Sequence, residues 1–374
     1  MRALLIVFHW TKIGGLELVT VELGRALQAA GVDLEVWSIY ESGIISEGGI
    51  AAKGFAPHNY FLKWFHDIYF WKGLLANRMK EKLRSFDLVI AGHARLLTPI
   101  RRVLETVRGE SPKCWAWAHG TEVWGYLGAI LAQDLNWADK VITVSEFTAS
   151  QVREWVEPDR LCTVPNMVDT SLFTPGNDGS QVKRDEILIV GRLSARARYK
   201  GHDMLMQALQ ILERKYSLKA CLSVVGDGDG RPRLEAMAGQ FGLDHRVEFR
   251  GRIGTEELIE AYRRCAVFAM PSRVDTHPRK VWTGEGFGIV YLEAAACGRP
   301  VIAGTEGGAP EAIIPGKTGF LVDPRSPEAI ADSLAILLAD PAEADKMGRA
   351  GRLWVETNFS IEVFRERVRE LLNR

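Results

Sequence analysis

Short runs of aliphatic and β-branched residues alternate with amphipathic stretches in the first part of the chain. These runs lie at 3–8, 33–39, 87–92, 114–118 and 140–145. After the first run, Leu16, Val19, Leu23 and Leu27 recur at helical spacing and would share one face of a helix. Strands that alternate with helices in this way predict a parallel sheet with crossover helices.

The alternation stops at 164–185, a stretch rich in Pro, Gly, Asn and Asp that has no apolar period. Such composition is typical of a linker between domains. A second series of apolar runs follows at 186–191, 220–226, 246–251, 267–272 and 299–304. From Pro327 to the end the pattern is mostly helical.

These patterns predict an α/β protein of two doubly wound, Rossmann-like domains that face one another across a cleft. The predicted segments are an N-terminal Rossmann-like domain at 1–168, a linker at 169–185, a C-terminal Rossmann-like domain at 186–355 and a last helix at 356–374 that packs back on the N-terminal domain. Ligands of doubly wound sheets bind at the carboxyl ends of the strands. We therefore expect the chemistry in the loops that follow strands.

Charge and cysteine content narrow the class of protein. The 47 basic and 47 acidic side chains cancel, so no global field would draw the chain onto nucleic acid or an anionic membrane. The five cysteines are scattered without a C-x-x-C spacing, which predicts neither a disulfide framework nor a zinc site. No apolar run approaches the roughly 18 residues that cross a bilayer, and the N-terminal run shows no cleavage pattern. We expect a cytoplasmic protein.

Two loops of the N-terminal domain carry candidate chemistry. Gly14 and Gly15 follow the first strand and open a helix, where backbone amides can approach an anion. The same pair is equally typical of a tight turn before a helix. The dinucleotide fingerprint G-x-G-x-x-G is absent from this loop, which argues against a nicotinamide site. His119 follows the run at 114–118 and would project from a strand end.

Two loops of the C-terminal domain are polar. The loop "RLSARARYKG" carries Arg192 and Lys200, with Arg196 and Arg198 between them, and could hold a diphosphate or form a solvated basic surface. The run "DGDG" at 227–230 has the D-x-D spacing of metal-dependent enzymes that use nucleotide sugars. Asp and Gly are above all turn-forming residues, so we interpret this run as a turn and expect no metal cofactor.

Two glutamates lie eight positions apart in "GEGFGIVYLEAAACGRPVIAG", residues 284–304. Glycines permit a sharp turn there, and the pattern predicts a helix over 289–297. Glu285 would lie just ahead of this helix and Glu293 roughly 6 Å along it. A ligand with its anionic centre at the helix N-terminus would present one hydroxyl-bearing end to each carboxylate. Alternatively, Glu285 caps the helix and Glu293 forms a surface ion pair.

Together these segments resemble the retaining glycosyltransferases of family 4, which have the GT-B fold. The resemblance covers nearly the whole chain and rests on "GG" at 14–15, "HGTE" at 119–122, "VPNMVD" at 164–169, "VGRL" at 190–193 with "KG" at 200–201, "VGDGDGRPRLE" at 225–235, "FRGRI" at 249–253, the E-x7-E segment and "GGAPE" at 307–311. It implies a metal-independent enzyme that moves a hexose, with retention, from a UDP- or GDP-linked sugar to a hydroxyl of a glycan, glycolipid or other small acceptor.

The resemblance also implies roles for individual residues. Arg192 and Lys200 would hold the donor diphosphate together with the backbone amide of Gly15. Glu293 would bind the ribose, and His119 would contact the sugar near its reacting face. Glu285 and the backbone of Phe287 and Gly288 would hold hydroxyls of the donor sugar. The main chain around Arg252 would contact the base, and the neighbouring Ile289 completes the donor-binding set. The catalytic set is His119, Arg192, Lys200 and Glu285.

Two features concern the acceptor. An insertion within 271–288 is similar to one in the phosphatidylinositol mannoside mannosyltransferases of this family, which implies a lipid-linked acceptor without identifying the sugar. The segment 59–86 combines an apolar surface with a basic tail, and it is typical either of a helix at a membrane surface or of a buried helix. Its apolar residues are Phe61, Trp64, Phe65, Ile68 and Trp71, and its basic residues are Arg78, Lys80, Lys82 and Arg84.

Two other functions remain open at this stage. Nucleotide-sugar 2-epimerases share the two-domain plan and bind the same donors, but they need no acceptor. A non-catalytic subunit could bind a nucleotide sugar without turning it over, although the intact set of His119, Arg192, Lys200, Glu285 and Glu293 argues against it. A dehydrogenase is the least compatible class because the fingerprint is missing.

Overall fold

The computed structural model describes residues 1–11, 14–55, 77–106, 111–176, 182–277 and 281–374. The chain divides into two compact units, of which one comprises Met1–Asn166 with Glu362–Arg374 and the other Met167–Ile361. Each unit contains an α/β sheet of the doubly wound type.

The first unit is built on a sheet with the strand order β3-β4-β2-β1-β5-β6-β7-β8. Its strands are β1 (Arg2–Val7), β2 (Asp33–Ser38), β3 (Ser42–Glu47), β4 (Ile50–Phe55), β5 (Leu88–Ala91), β6 (Lys113–Ala118), β7 (Lys140–Thr143) and β8 (Leu161–Thr163). The helices are α1 (Gly15–Ala29), α2 (Asn77–Arg84), α3 (Leu97–Leu104), α4 (Gly125–Trp137) and α5 (Glu146–Val152). All strand pairs are parallel except β3 with β4.

The second unit is built on an all-parallel sheet with the strand order β11-β10-β9-β12-β15-β16. Its strands are β9 (Lys183–Val190), β10 (Cys221–Val225), β11 (Val247–Gly251), β12 (Cys265–Met270), β15 (Val301–Gly304) and β16 (Gly319–Val322), with a separate hairpin of β13 (Asp275–Thr276) and β14 (Trp282–Thr283). The helices are α6 (His202–Tyr216), α7 (Arg231–Gln240), α8 (Thr255–Arg264), α9 (Ile289–Ala296), α10 (Pro327–Ala339) and α11 (Pro341–Asn358).

The final helix, α12 (Ile361–Asn373), belongs to the first unit. The Phe364 ring lies 6.2 Å from that of Trp117, between ring centroids, and the Lys140 ammonium donates to the Leu371 carbonyl over 2.9 Å. The apolar face of α12 therefore completes the core of the unit in which the chain begins.

Both sheets bury their central strands on both faces. Every residue of β5, β12 and β15 is buried, as is every residue of β1 after Arg2. Strands covered by helices on both sides read as continuous apolar runs, and this explains why they could be located in the sequence. The prediction of two Rossmann-like α/β domains is confirmed.

Each sheet has one point at which the strand order reverses. In the first unit this point lies between β1 and β5, and in the second it lies between β9 and β12. The loops that leave two such strands diverge to opposite sides of the sheet and leave a crevice at the carboxyl edge, where ligands of this fold bind. Of the polar loops singled out in the sequence, those after β1 and β9 leave strands that border these points, and those after β6 and β10 each follow a strand one position away.

The observed elements differ from the predicted ones in several places. The short strands β8, β13, β14 and β16 were not predicted. The antiparallel hairpin of β3 and β4 was not predicted, because its polar and glycine-containing strands lie at the edge of the sheet and lack an apolar run. Strand β9 begins at Lys183, inside the predicted linker at 169–185, and the division between the units falls between Asn166 and Met167. Helix α11 extends to Asn358, into the segment 356–374 that the pattern assigned to one terminal helix.

The aromatic part of the segment 59–86, with Phe61, Trp64, Phe65, Ile68 and Trp71, lies outside the described residues. Of its basic tail, Lys82 pairs with Glu35 and its ammonium lies 5.4 Å above the ring of Trp37. Among the helices built from described residues, none has the length and the uninterrupted apolar character that a bilayer crossing requires.

Candidate active site

The loop after β9 folds back onto the loop after β12. The Arg273 amide donates to the Tyr199 carbonyl over 2.8 Å. Gly201 has φ +83° and lies so close to Pro271 that a Cβ would come within 2.5 Å of the Pro271 carbonyl oxygen. Only glycine combines this left-handed conformation with so close an approach. The contact brings the end of the basic loop to the reversal point of the sheet.

This fold of the loop buries most of the Lys200 side chain. Its ammonium forms an ion pair with Glu285, and the two side chains are only 12% and 13% exposed. Burial by itself would lower the pKa of Lys200, but the Glu285 carboxylate outweighs burial and raises the pKa above its ordinary value. Lys200 is therefore a fixed positive charge over the working pH range. The family resemblance implied that Lys200 holds the donor diphosphate and Glu285 the donor sugar. Their pairing with each other was not predicted.

Arg192 and Tyr199 lie beside this pair. The charge of Arg192 opposes protonation of Lys200, which places the two cations within electrostatic range of each other. Arg192 is exposed, as are Arg196 and Arg198 in the same loop. Burial raises the pKa of the Tyr199 phenol, whose ring centroid lies 5.3 Å from the Lys200 ammonium. Arg192, Lys200 and Glu285 are thus brought together.

Helix α9 begins directly after this cluster. Its N-cap, Gly288, has φ +93°, and a Cβ there would lie 2.4 Å from the ring of Tyr291. The buried Tyr291 phenol donates to the Met270 carbonyl over 2.8 Å and shares a 2.9 Å hydrogen bond with Ser272. The first turn of α9 is thereby tied to the end of β12. The first backbone amides of a helix lack intrahelical partners and attract anions, so this end, which starts at Ile289, is a candidate anion site.

Glu293 lies one turn further along α9. Its carboxylate accepts a 2.7 Å hydrogen bond from the phenol of Tyr262 on α8. Burial, together with the adjacent carboxylate, raises the pKa of Tyr262 well above its usual range, so the phenol remains a donor. This arrangement fixes the direction of the Glu293 carboxylate. Neither the E-x7-E spacing nor the helical pattern of α8 pointed to Tyr262.

Two further members of the predicted donor set, Phe287 and Arg252, differ in their burial. The Phe287 side chain is 1% exposed and its ring packs 5.5 Å from that of Phe359, so only its backbone can meet a ligand. Arg252 is exposed in the loop after β11. The backbone role suggested for Phe287 agrees with this burial.

The "DGDG" run serves as a turn. The Asp227 carbonyl accepts from the Leu193 amide over 3.1 Å, and the Asp229 carboxylate accepts from the Ala195 amide over 2.7 Å. These bonds brace the loop that carries Arg192. In the part of the chain that the structure describes, no group of three or more His, Cys, Asp or Glu side chains is arranged to hold a metal ion.

His119 lies at the carboxyl edge of the first sheet. Its Nε2 is 2.8 Å from the Gly92 carbonyl oxygen, and its backbone amide donates to the Glu122 carboxylate over 2.5 Å. Burial lowers the pKa of His119 to about 4, so the imidazole is neutral at pH 7. A neutral imidazole can hydrogen-bond a sugar hydroxyl without adding a charge. Gly15 belongs to the same unit and opens α1, where it is exposed.

His93 is a neighbour of His119 that the sequence interpretation missed. The two rings lie 5.8 Å apart, and the Phe8 ring lies 5.0 Å from that of His93, all between ring centroids. Burial lowers the pKa of His93 to about 4. His93 follows β5 as His119 follows β6, so the criterion of polar residues after strands could have found it.

The comparisons with known proteins agree with this geometry. Residues 13–172 match the family model described as Glycosyltransferase Family 4, and residues 175–354 match the model described as Glycosyl transferases group 1. The chain is 37% identical over 317 residues to a GDP-mannose-dependent α-(1-6)-phosphatidylinositol monomannoside mannosyltransferase of Mycolicibacterium smegmatis, covering 80% of each chain. It is 33% identical over 208 residues to a D-inositol 3-phosphate glycosyltransferase of Corynebacterium efficiens, covering 52% of this chain and 46% of that relative.

Solved structures of low identity share the fold. Sucrose-phosphate synthase from Thermosynechococcus elongatus superposes with a TM-score of 0.79 at 22% identity, covering all of this chain and 98% of the other. Anabaena HepE in complex with UDP and glucose superposes with a TM-score of 0.78 at 19% identity, covering 99% of both chains. The family matches and the relative that spans most of the chain show that this protein belongs to glycosyltransferase family 4 of the GT-B class and is a glycosyltransferase that uses a nucleotide sugar.

Proposed function

We propose that this enzyme transfers mannose from GDP-mannose to an inositol-containing glycolipid, with retention at the anomeric carbon and without a metal ion. The observation that carries the reaction is the buried ion pair of Lys200 and Glu285 just ahead of the N-terminus of α9. The choice of sugar and acceptor is supported by the Mycolicibacterium smegmatis relative, whose name specifies a GDP-mannose-dependent mannosyltransferase.

In this proposal the donor diphosphate lies at the start of α9, with Lys200 and Arg192 as its cations. Breaking the bond between the anomeric carbon and the diphosphate leaves an oxocarbenium-like sugar and adds negative charge to the leaving group. Lys200, Arg192 and the helix N-terminus are fixed positive groups that would stabilise this charge in the transition state. Such preorganised electrostatic stabilisation commonly makes the largest contribution to the rate enhancement of an enzyme. The charge on Lys200 does not depend on pH in the neutral range, because Glu285 raises its pKa.

Retention follows in this scheme from attack on the face that the diphosphate leaves. The acceptor hydroxyl oxygen forms the new bond to the anomeric carbon, and a departing phosphate oxygen takes the hydroxyl proton. The products are then the glycoside and a nucleoside diphosphate. Glu293, held by Tyr262, accepts hydrogen bonds from the ribose hydroxyls, and Glu285 accepts from hydroxyls of the transferred sugar.

The acceptor side of the proposal rests on the first unit and on the relatives. The proposal gives His119 a hydrogen bond to the sugar, because its imidazole is neutral and does not compete with Lys200 and Arg192 for the diphosphate. An inositol glycolipid resides in a membrane, so the proposal includes peripheral membrane contact, through the segment 59–86, by an enzyme of the cytoplasm.

The direct test is transfer from radiolabelled GDP-mannose or UDP-glucose to phosphatidylinositol, phosphatidylinositol monomannoside or soluble inositol 3-phosphate, with and without EDTA. We expect labelled product with GDP-mannose and a phosphatidylinositol acceptor, unchanged rates in EDTA, and an α-linked product by NMR. Transfer to inositol 3-phosphate alone would reject the lipid acceptor, and a rate abolished by EDTA would reject the metal-free scheme. Turnover of the donor without any acceptor would favour an epimerase.

A further inference from the structure

A cavity of about 720 Å³ lies in the second unit at the opposite end of α9 from Glu285. It is lined by Pro175, Gly176, Val182, Arg184, Cys297, Gly298, Arg299, Asp345, Arg349 and Arg352, and we call it the arginine cavity. Arg184 lies near the start of β9, and Arg299 precedes β15. Since the strands of this sheet are parallel, these starts mark its amino edge, whereas the candidate active site lies at the carboxyl edge. The eight residues of α9 separate the two by about 12 Å.

Arg299 is the most deeply buried cation of the arginine cavity. Arg299 is only 8% exposed, and its Nε has no hydrogen-bond partner among the described residues. A buried N–H group without a partner costs free energy, because its hydration is lost and nothing replaces it. An anion in the cavity would remove that cost.

Two of the other arginines are already engaged by protein groups. Arg184 makes a forked pair with Asp345, over 2.9 and 3.0 Å. Arg352 donates to the backbone carbonyls of Thr170, Phe173 and Ala296, over 2.8, 2.6 and 2.9 Å, and pairs with Glu356. These two guanidinium groups shape the wall of the cavity and already have protein partners.

Arg349 is exposed and lies at the rim of the cavity. It shares a face of α11 with Asp345 and Arg352, because the three positions are spaced by four and three residues. The charges of Arg299 and Arg349 both help to lower the pKa of Asp345, after the hydrogen bond from Arg184. Arg299 and Arg349 therefore lie within electrostatic range of the same carboxylate.

Among the described residues that line the cavity, no other group balances these charges. Asp345 is the one carboxylate of this described lining, and it is committed to Arg184. Burial raises the pKa of the Cys297 thiol to about 12, so it stays neutral. The arginine cavity therefore holds two guanidinium groups that its described lining leaves uncompensated, one at its base and one at its rim.

We propose that the arginine cavity binds a phosphate group, at a site separate from the donor site. A phosphate carries up to two negative charges and several acceptor oxygens, which match two guanidinium forks better than a single carboxylate does. The cavity volume leaves room for the organic part of a phosphorylated molecule. Either a soluble phosphorylated compound or the headgroup of an acidic lipid presents this chemistry.

The test measures binding of inorganic pyrophosphate by calorimetry at constant ionic strength, using the whole chain and the variants Arg299→Gln and Arg349→Gln. Because Arg349 is exposed, its variant should fold even where Arg299→Gln does not. We expect two sites in the unsubstituted protein and one in either variant, with an unchanged KM for the donor. The matched control is Arg153→Gln, which removes an exposed charge from the first unit and should retain both sites.

Pyrophosphate binding that Arg349→Gln leaves unchanged would overturn the proposal, whether the unsubstituted protein shows two sites or one. Flotation with phosphatidylcholine vesicles, with and without phosphatidylinositol, separates the two sources of phosphate. Loss of phosphatidylinositol-dependent flotation in Arg349→Gln assigns the cavity to a lipid headgroup. Two pyrophosphate sites together with flotation that Arg349→Gln does not alter assign it to a soluble compound.

Discussion

The phenol of Tyr262 donates a 2.7 Å hydrogen bond to the carboxylate of Glu293. Tyr262 is completely buried, and its ring lies 6.1 Å from that of Phe173 and 5.7 Å from that of Phe268, between ring centroids. The tyrosine cannot move without disturbing this core. The carboxylate proposed to bind the donor ribose is therefore held in place by packing that involves no ligand.

We expect Tyr262→Phe to raise the KM for the donor with little change in kcat. A hydrogen bond to a charged group contributes about 1.5–3 kcal/mol, and loss of part of this orientation corresponds to roughly a tenfold increase in KM. Steady-state kinetics at varied donor concentration measure the effect. Tyr216→Phe is the matched control, because Tyr216 also donates to a carboxylate, Asp332, over 2.7 Å. Equal KM values in Tyr262→Phe and the unsubstituted enzyme would remove this positioning role.

Lys200→Ala should lower kcat by roughly 100-fold to 1000-fold, since removal of one preorganised group that stabilises transition-state charge has effects of this size. Lys215→Ala, which removes an exposed lysine paired with Asp332 over 2.9 Å, should leave kcat unchanged. Thermal unfolding of both variants separates catalysis from stability, because the Lys200 variant leaves the Glu285 carboxylate without its cation. Retention of more than half of the activity in a folded Lys200→Ala enzyme would exclude Lys200 from the reaction.

Gly288→Ala should destabilise the second unit and abolish activity. Its φ of +93° disfavours a side chain, and the new Cβ would lie 2.4 Å from the Tyr291 ring that ties α9 to β12. Gly242→Ala isolates the backbone contribution, because Gly242 has φ +65° but a Cβ there would meet no atom of the described residues within 4 Å. We expect the control to cost about 1–2 kcal/mol of unfolding free energy and Gly288→Ala to cost clearly more. Equal losses in thermal unfolding would show that the first turn of α9 tolerates the methyl group.

We expect acid to lower the unfolding free energy of the second unit through protonation of His202. Burial lowers the pKa of His202 to about 3, from 6.5 in the unfolded chain, and the residue is 4% exposed. The unfolded state then binds the proton more tightly, so this contribution to stability is complete above pH 6.5 and is lost as the pH falls toward 3. Between pH 6.5 and 5 the loss amounts to about 2 kcal/mol.

Urea unfolding at pH 7.5 and pH 5 measures this effect, with His202→Gln as the comparison. The variant should lose less unfolding free energy than the unsubstituted protein between the two pH values, because glutamine does not titrate. The carboxylates contribute equally in both proteins and cancel in the difference. Parallel losses would show that His202 does not titrate in this window.

Much of the fold was predictable because its strands are buried on both faces. The continuous apolar runs at 3–8, 186–191 and 267–272 each correspond to an observed strand, and the helix predicted over 289–297 is observed at Ile289–Ala296. The hairpin of β3 and β4 was missed, because β3 has no fully buried residue and β4 buries only Ile50 and Ala52, so neither strand contains an apolar run. Local pattern alone cannot distinguish such strands from loops.

By itself, the sequence determined the α/β class, the placement of polar loops after strands, and the residue types that could meet a diphosphate and a sugar. Only the tertiary structure decided which of these residues meet one another. Lys200 pairs with Glu285 across 85 positions and Tyr262 with Glu293 across 31, because crossover helices return each strand to the same edge of the sheet. Arg299 and Arg349 likewise converge only when α11 packs beside the start of β15. The sequence gives the chemistry of each side chain. Which side chains lie close together depends on the order of the strands in the parallel sheet, and no local sequence pattern encodes that order.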